Sequence, residues 1–326
     1  MRVVLLHDAV SDASAADERD VVAQMGAIGP ALAALGHGAG RLPFTLNLEA
    51  AAESLRAIGP DLVFNLVESI GGQGRLIHLA PALLDSLELP YTGCPTDAVY
   101  TTSNKLLAKR LLRSAGIPTP VSYTRDELRR GVEVIPGRYI LKSVWEHASR
   151  GLDEGSVVRA GAAAPLLEAL DERLPLLGGE GFAEAFIDGR EFNLSLLDGI
   201  ILPQAEILFE GLSASQARIV GYRAKWDESS PEYRGTPRRF DFPHSDQPLL
   251  VVLDTLAMGC WKAFGLRGYA RVDFRVDEEG RPWALEVNTN PCLSPDAGFA
   301  AAVARSGLSF EQAIGRILTA ATNPTP

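Results

Sequence analysis

Short apolar runs and a helical pattern alternate at the start of the chain. RVVLL (2–6) and DLVFNLV (61–67) are typical of buried strands, and LPFTLN (42–47) of another strand. The apolar spacing over residues 18–35 predicts a helix that ends at Gly36. Strand, helix and strand in this order predict a parallel α/β arrangement.

The middle of the chain begins with a strongly amphipathic pattern. Residues 103–115 predict a helix, and IPTP follows Gly116. RYILKSV (138–144) and SVVRA (156–160) predict two strands joined by a loop, and residues 162–174 predict a short helix. Farther on, GFAEAFIDGREFNLSLL (181–197) predicts a pair of strands around a DGR turn.

Strict alternation returns near the carboxyl end. A long segment rich in Gly, Pro and Arg (212–246) predicts irregular structure, and residues 247–264 predict a helix. RVDFRV and PWALEVN then flank the turn DEEG, which predicts a β-hairpin. We expect one apolar face carrying Val272, Phe274 and Val276 from the first strand, with Trp283, Leu285 and Val287 from the second.

The other face of this hairpin gathers Asp273, Glu286 and Asn288, with Arg271 beside them. Half-exposed strands often carry charges, so a solvated face is one interpretation. The other is a metal site, because Mg²⁺ binds one or two carboxylates and fills its remaining positions with water and phosphate oxygens. The hairpin alone leaves both interpretations open.

Composition narrows the classes of function. The chain has 326 residues, is 46% hydrophobic and carries a net charge of −10, without a basic run, which argues against a nucleic-acid partner. No apolar stretch is long enough to span a membrane. Three widely spaced cysteines, Cys94, Cys260 and Cys292, fit neither a disulfide framework nor a zinc site. These features predict a cytoplasmic protein.

Other charged side chains carry weak signals when each is taken alone. Lys142 ends an apolar strand before a loop containing Ser149, where phosphate could bind, although the loop lacks the GxxxxGK[ST] pattern. An ordinary hairpin loop would have the same appearance. Lys105 on its helix, and Glu184 and Glu191 on their strands, are equally typical of solvated faces.

In combination and in order, these stretches resemble the ATP-grasp superfamily, and within it the D-alanine–D-alanine ligases. The resemblance spans most of the chain, and its closing R-x-D with E-x-N-T-x-P is the most specific part. The matching stretches are FN (64–65), PYTG (90–93), the Lys105 helix, AGIPTP (115–120), LKSVWEHASRG (141–151), AEAFIDGREFNLSLL (183–197), GYRAKW (221–226), RVDF (271–274) and LEVNTNP (285–291).

The resemblance implies roles for individual residues. It implies that Lys105 and Lys142 contact ATP phosphates, and that the loop around Ser149 closes as a lid. It implies an adenine hinge at Glu184 and Ile187, and ribose binding by Glu191. It implies three Mg²⁺ ligands, with Mn²⁺ as an alternative ion, and two cations facing the phosphate that is transferred. The implied ligands are Asp273, Glu286 and Asn288, and the implied cations are Arg271 and Lys225.

The fold implied is α/β, with three domains at residues 1–95, 96–183 and 184–326. The activity implied is an ATP-dependent carboxylate–amine ligase that acts through an acyl phosphate and releases ADP and phosphate. Its partners would be small-molecule carboxylates and amines, and a homodimer stays open. An ATP-grasp kinase or other carboxylate activator, and a nucleotide-binding regulatory protein without turnover, are the alternatives.

The substrate half departs from the family pattern. Glu68 stands near the position of a family histidine, where it could hold an ammonium group. The loop after E-x-N-T-x-P offers Asp296, Ala297 and Gly298 in place of the Ser-Leu pair that receives a D-alanine carboxylate. We therefore expect substrates other than two D-alanines: one with an extra amine, or an acceptor without that carboxylate.

Overall fold

A computed structural model describes residues 1–10, 15–146, 149–211, 216–227 and 229–322. Its first sheet is parallel, with the order β2-β1-β3, as the sequence predicts. The elements are β1 (Arg2–Asp8), α1 (Ala16–Ala34), β2 (Gly38–Phe44), α2 (Leu48–Ile58), β3 (Leu62–Asn65) and α3 (Leu79–Ser86). β2 begins before the apolar pattern does, because it is an edge strand whose first residues are exposed.

The helix predicted over residues 103–115 forms, but it begins two residues later, and two helices occupy this part of the chain. They are α4 (Thr96–Ser103) and α5 (Lys105–Ser114). Asn104 separates them, with an extended backbone (φ −89°, ψ 100°) and a side chain that accepts a hydrogen bond from the Leu107 N–H at 3.0 Å. An asparagine in this conformation caps a new helix, so the start of the predicted helix was wrong.

The second sheet is antiparallel, with the order β4-β7-β5-β6. Its elements are β4 (Ser122–Thr124), α6 (Arg125–Arg129), β5 (Gly137–Ser143), β6 (Val157–Ala160), α7 (Ala163–Arg173) and β7 (Gly181–Ala185). Leu141, Leu166 and Leu170 lie in one apolar core that fixes α7 against this sheet.

The third sheet has six strands, and each strand pairing in it is antiparallel. They are β8 (Arg190–Leu197), β9 (Ile200–Ile201), β10 (Ala205–Ile207), β11 (Arg238–Arg239), β12 (Tyr269–Val276) and β13 (Pro282–Asn288). The accompanying helices are α8 (Tyr222–Trp226), α9 (Pro231–Arg234), α10 (Gln247–Ala263), α11 (Gly298–Arg305) and α12 (Phe310–Thr322). The segment expected to be irregular thus contains α8, α9 and β11.

The expected strand pair around the DGR turn was also wrong. β7 belongs to the second sheet and β8 to the third, so residues 186–189 cross from one sheet to the other. Gly189 makes the crossing possible, since its φ is +143° and a Cβ there would lie 2.0 Å from the Val276 carbonyl oxygen. Alternation identifies strands but does not identify the strand with which each one pairs.

The carboxyl-terminal hairpin forms, but with a bulge. Asp273 pairs with Glu286, and the next residue, Phe274, pairs with Ala284. Leu285 is therefore the extra residue, and Ala284 rather than Leu285 is buried beside Phe274. The expected apolar face of the second strand was wrong at this point.

The apolar core of the first sheet contains residues from both ends of the chain. Leu5 and Val21 share one cluster with Ile314, Ile317 and Leu318 of α12. The division into domains 1–95, 96–183 and 184–326 remains a proposal. In that division α12 belongs to the last domain by sequence but packs in the core of the first. Among the described residues, no helix is long and apolar enough to cross a membrane.

Candidate active site

A cavity of about 550 Å³ opens where the three sheets approach one another. Its walls include residues from every part of the chain to which the sequence assigned chemistry. They are Glu68, Lys105, Lys142, Ser149, Glu184, Ile187, Glu191, Lys225, Arg271, Asp273, Glu286, Asn288 and Asp296. The fold therefore brings these predicted residues, spread over more than two hundred positions, to one place.

One wall is organised by a buried carboxylate between two lysines. Glu184 on β7 forms ion pairs with Lys142 on β5, at 2.6 Å, and with Lys109 on α5. Burial alone would raise the pKa of Glu184, but the two ammonium groups hold it below its ordinary value. Lys109 also donates to Thr119 Oγ1 at 2.8 Å. Glu184 therefore holds the Lys142 ammonium group in a fixed position at the cavity wall.

Lys105 enters the cavity from the start of α5. Its Nζ donates to the Glu146 carbonyl at 2.6 Å, and its backbone N–H donates to the Val144 carbonyl at 3.0 Å. Burial lowers the pKa of Lys105, the nearby Glu286 carboxylate opposes that shift, and Lys142 adds to it. Two ammonium groups are thus concentrated at this end of the cavity.

The loop after β5 bridges the cavity. Ser149 has a left-handed backbone (φ +61°), and its Oγ donates to the Val220 carbonyl at 2.8 Å. Arg150 pairs with Glu18 at 2.7 Å and donates to the Gly72 carbonyl at 3.1 Å. His147 and Ala148 of this loop lie outside the described residues. The loop is therefore bound on one side to the segment before α8 and on the other side to α1.

The segment that crosses from the second sheet to the third borders the cavity through Phe186, Ile187 and Glu191. Ile187 lines it, and Glu191 pairs with Arg275 at 2.8 Å. The Arg275 guanidinium also lies over the rings of Phe186 and Phe209. The sequence showed Arg275 only as one charge on the hairpin, so its role in holding Glu191 was missed.

The floor of the cavity is the polar face of the hairpin. Arg271 Nε donates to Asp273 Oδ1 at 2.7 Å and its Nη2 to Oδ2 at 2.9 Å. Burial would lower the pKa of Arg271, but the Asp273 carboxylate holds it above its ordinary value. Asn193 donates to Asp273 at 2.8 Å. Period-two counting from Glu191 along β8 would have revealed Asn193 as a neighbour.

Lys225 on α8 faces the same floor. Burial lowers the pKa of Lys225, the Arg271 guanidinium lowers it further, and the carboxylates of Glu286 and Asp273 oppose the shift. The ammonium group thus lies in a mixed field of charges rather than against a single partner.

The far end of the cavity is acidic. Gln24 donates from one amide group to Asp20 at 3.1 Å and to Glu68 at 2.9 Å. The Cys292 thiol donates to Asp20 at 2.8 Å, and burial, with the Asp20 carboxylate second, raises its pKa well above the ordinary value. Asp296 is exposed at the rim and does not cap α11, whose N-cap is Ala297.

Comparison with known proteins decides the family. The D-alanine–D-alanine ligase of Gloeobacter violaceus is 33% identical over 275 residues, which cover 80% of this chain and 85% of the relative. The chain belongs to the D-alanine–D-alanine ligase family. The ligase of Aquifex aeolicus is 29% identical over 98% of this chain and its own full length.

Two further comparisons agree with this family. The family model described as D-ala D-ala ligase C-terminus matches residues 162–319. The crystal structure of the D-alanine–D-alanine ligase from Bacillus anthracis complexed with ATP covers 99% of this chain and 97% of its own, with a TM-score of 0.73 and 20% identity. That likeness confirms the ATP-grasp fold. As a member of the family, the chain is an ATP-dependent ligase that forms a carbon–nitrogen bond.

Proposed function

We propose that this chain joins a small-molecule carboxylate to a small-molecule amine, with ATP and Mg²⁺, through an acyl phosphate, and releases ADP and phosphate. One observation carries the proposal: ammonium groups, a guanidinium and a set of oxygen ligands line the same cavity. Phosphoryl transfer depends mainly on positioning and on neutralising charge, which such a set of side chains supplies.

Lys105 and Lys142 bind the nucleotide phosphates in this proposal. Both Nζ atoms are held by fixed acceptors, so the two positive charges are in place before ATP arrives. The segment 184–187 supplies the adenine hinge, with Ile187 at the cavity wall. Glu191 accepts from the ribose hydroxyls, and Arg275 keeps that carboxylate oriented.

Asp273, Glu286 and Asn288 are the proposed Mg²⁺ ligands. They supply only oxygen donors, and Asp273 and Glu286 lie directly opposite each other on β12 and β13. Within the described residues no group of three His, Cys, Asp or Glu side chains could hold a metal ion. Two carboxylates and an amide fit Mg²⁺, which leaves positions for phosphate and water. When bound, the ion would neutralise phosphate charge during transfer.

Arg271 and Lys225 stabilise the charge that develops on the transferred phosphoryl group. Arg271 is oriented by its two hydrogen bonds to Asp273, so its guanidinium needs little reorganisation. The loop around Ser149 excludes water, which would otherwise hydrolyse the acyl phosphate. Its contacts with Val220 and Glu18 hold it across the cavity.

Glu68 and Asp20 form the substrate end. Two carboxylates that share one amide donor favour an ammonium group on a substrate. Asp296 lies at the rim of the cavity, where we place the amine substrate. A cytoplasmic location fits the three cysteines, which are all free thiols. Homodimerisation is a further proposal, and sedimentation of the purified protein tests it.

The test is a panel of carboxylates and amines, with ADP release and product mass measured together. We expect ADP and an amide product in equal amounts for at least one pair. Asp273→Asn is the matched control, since it removes a ligand charge and should reduce both signals by about 10²–10³-fold. ADP release with a hydroxyl acceptor alone would favour the kinase, and ATP binding without ADP release across the panel would contradict ligase activity.

A further inference from the structure

Arg238, on the short strand β11, reaches the end of the cavity where Asp296 lies. In the register of β11 with β10, Arg238 lies opposite Ile207, and its neighbour Arg239 lies opposite Glu206. Adjacent strand residues point to opposite faces. Arg239 forms an ion pair with the Glu206 carboxylate, and Arg238 lines the cavity. The Nη1 of Arg238 donates to the Asp296 carbonyl at 3.0 Å.

Gly298 makes room for this guanidinium. A Cβ at Gly298 would lie 3.3 Å from Arg238 Nε and 3.8 Å from its Nη2. A side chain at this position would therefore press on the Arg238 guanidinium, which would have to shift by a few tenths of an ångström. The loop that carries Gly298 thus leaves space for the Arg238 guanidinium.

The charges around Arg238 favour an anion. Within the described ranges, no carboxylate side chain forms an ion pair with Arg238, and its polar partner is the Asp296 carbonyl. Arg271, by contrast, is bound by both oxygens of Asp273. Arg238 is exposed at the mouth of the cavity; its partial burial lowers its pKa, the Arg271 guanidinium lowers it further, and the Asp296 carboxylate opposes both effects. A bound anion would relieve the second of these effects.

The start of α11 adds to the same environment. Its N-cap, Ala297, supplies no side-chain hydrogen bond, and the Arg238 guanidinium lies beside the first helical residue. The amino end of a helix favours negative charge, and a planar guanidinium binds carboxylates through two parallel hydrogen bonds.

We propose that Arg238 binds a carboxylate of the amine-bearing substrate and so determines acceptor specificity. This inference rests on the proposed ligase function. It changes the expectation drawn from Asp296, because the carbonyl of that residue holds a cation at the place where repulsion was expected. The acceptor class is then an amino acid, or a similar amine with an anionic group close to the nitrogen.

The test compares acceptors that differ only in their carboxylate. The probes are glycine, L-alanine, D-alanine and D-serine, each paired with its carboxamide. In the wild-type protein we expect the KM of the acid to be about 10–100-fold below that of the amide, the range for a hydrogen bond to a charged group. Arg238→Met should raise the KM of the acid to that of the amide and leave the KM of ATP unchanged.

Two further variants sharpen the experiment. Arg223→Met removes an exposed guanidinium from the same segment and should keep the wild-type preference for the acid. Gly298→Ala places a methyl group against Arg238, at a backbone conformation that any residue adopts. We expect it to raise the KM of the acid in the same direction as Arg238→Met, by a smaller factor.

An unchanged ratio of acid to amide in Arg238→Met would overturn the inference, as would equal losses for both acceptors. If no pair yields an amide product even in the wild-type protein, the proposed function fails separately. The thermal midpoint with ADP and each acceptor then decides the role of Arg238. A rise caused by the acid but not the amide, lost in Arg238→Met, supports it, and no difference refutes it.

Discussion

Replacing Lys109 by methionine should weaken the wall from which Lys142 reaches the cavity. Methionine nearly matches the lysine stem in volume but removes the charge from an ion pair whose side chains are only 2% and 1% exposed. Removing one partner of a buried pair costs about 3–5 kcal/mol, since the remaining charge stays buried. Lys142 remains 2.6 Å from Glu184, so we expect the lower limit, about 3 kcal/mol.

Hydrogen exchange measures this loss locally, which matters because a protein of several domains need not unfold in two states. A loss of about 3 kcal/mol corresponds to roughly 100-fold faster exchange in peptides that cover β5 and β7. The KM for ATP should rise as well, because Lys142 must then neutralise Glu184 alone. Arg75→Met is the control, since that pair is half-exposed and should cost at most about 1 kcal/mol.

A second substitution isolates the charge. Lys109→Met combined with Glu184→Gln removes both members of the pair, and replacing a whole buried pair is often close to neutral. We expect the double variant to recover much of the slow exchange without recovering ATP affinity. Exchange in Lys109→Met that matches the wild type, or a double variant less stable than the single one, would refute this reasoning.

Three other perturbations test separate parts of the site. Asp273→Asn should lower kcat by about 10²–10³-fold and also lower the thermal midpoint, because the largely buried Arg271 guanidinium loses its charged partner, and wild-type turnover in excess chelator would contradict the metal assignment. Glu191→Ala should raise the KM for ATP by about 10–100-fold, as measured by initial rates of ADP release, with Glu210→Ala as an exposed control. Burial raises the pKa of Asp8 to about 6 from 3.8, so the folded protein binds this proton more tightly than the unfolded chain. Stability should therefore fall by roughly 2–3 kcal/mol as pH rises from about 4 to about 6. Asp8→Asn should abolish that part of the fall, and parallel midpoint curves for the two proteins would contradict it.

The sequence could predict the parts of the fold that depend on local pattern. The parallel first sheet follows from apolar runs such as RVVLL, and the hairpin follows from alternation around DEEG. The cavity residues came from several short motifs in a fixed order, not from any one spacing. Each motif was ambiguous alone, and the fold is what brings their side chains together.

What the sequence could not predict depends on contacts between distant segments. The bulge at Leu285 changes which residue faces the core, although the alternation on either side of it is regular. The contact between Arg238 and Asp296 joins positions 58 apart, in a segment that carries no periodicity. Lys109 has the sequence pattern of a helix-surface residue, but in the fold it forms a buried ion pair with Glu184 from another element.

The shared core of the first sheet and α12 has a consequence for biosynthesis. β3 is complete at Asn65, but Ile314 and Ile317 of α12, which belong to the same core, are synthesised about 250 residues later. At about 5–20 residues per second, the first sheet waits roughly 10–50 s for that helix. During this interval the face that α12 later covers remains open to chaperones and to other nascent chains. The first sheet is thus synthesised well before the helix that completes its core.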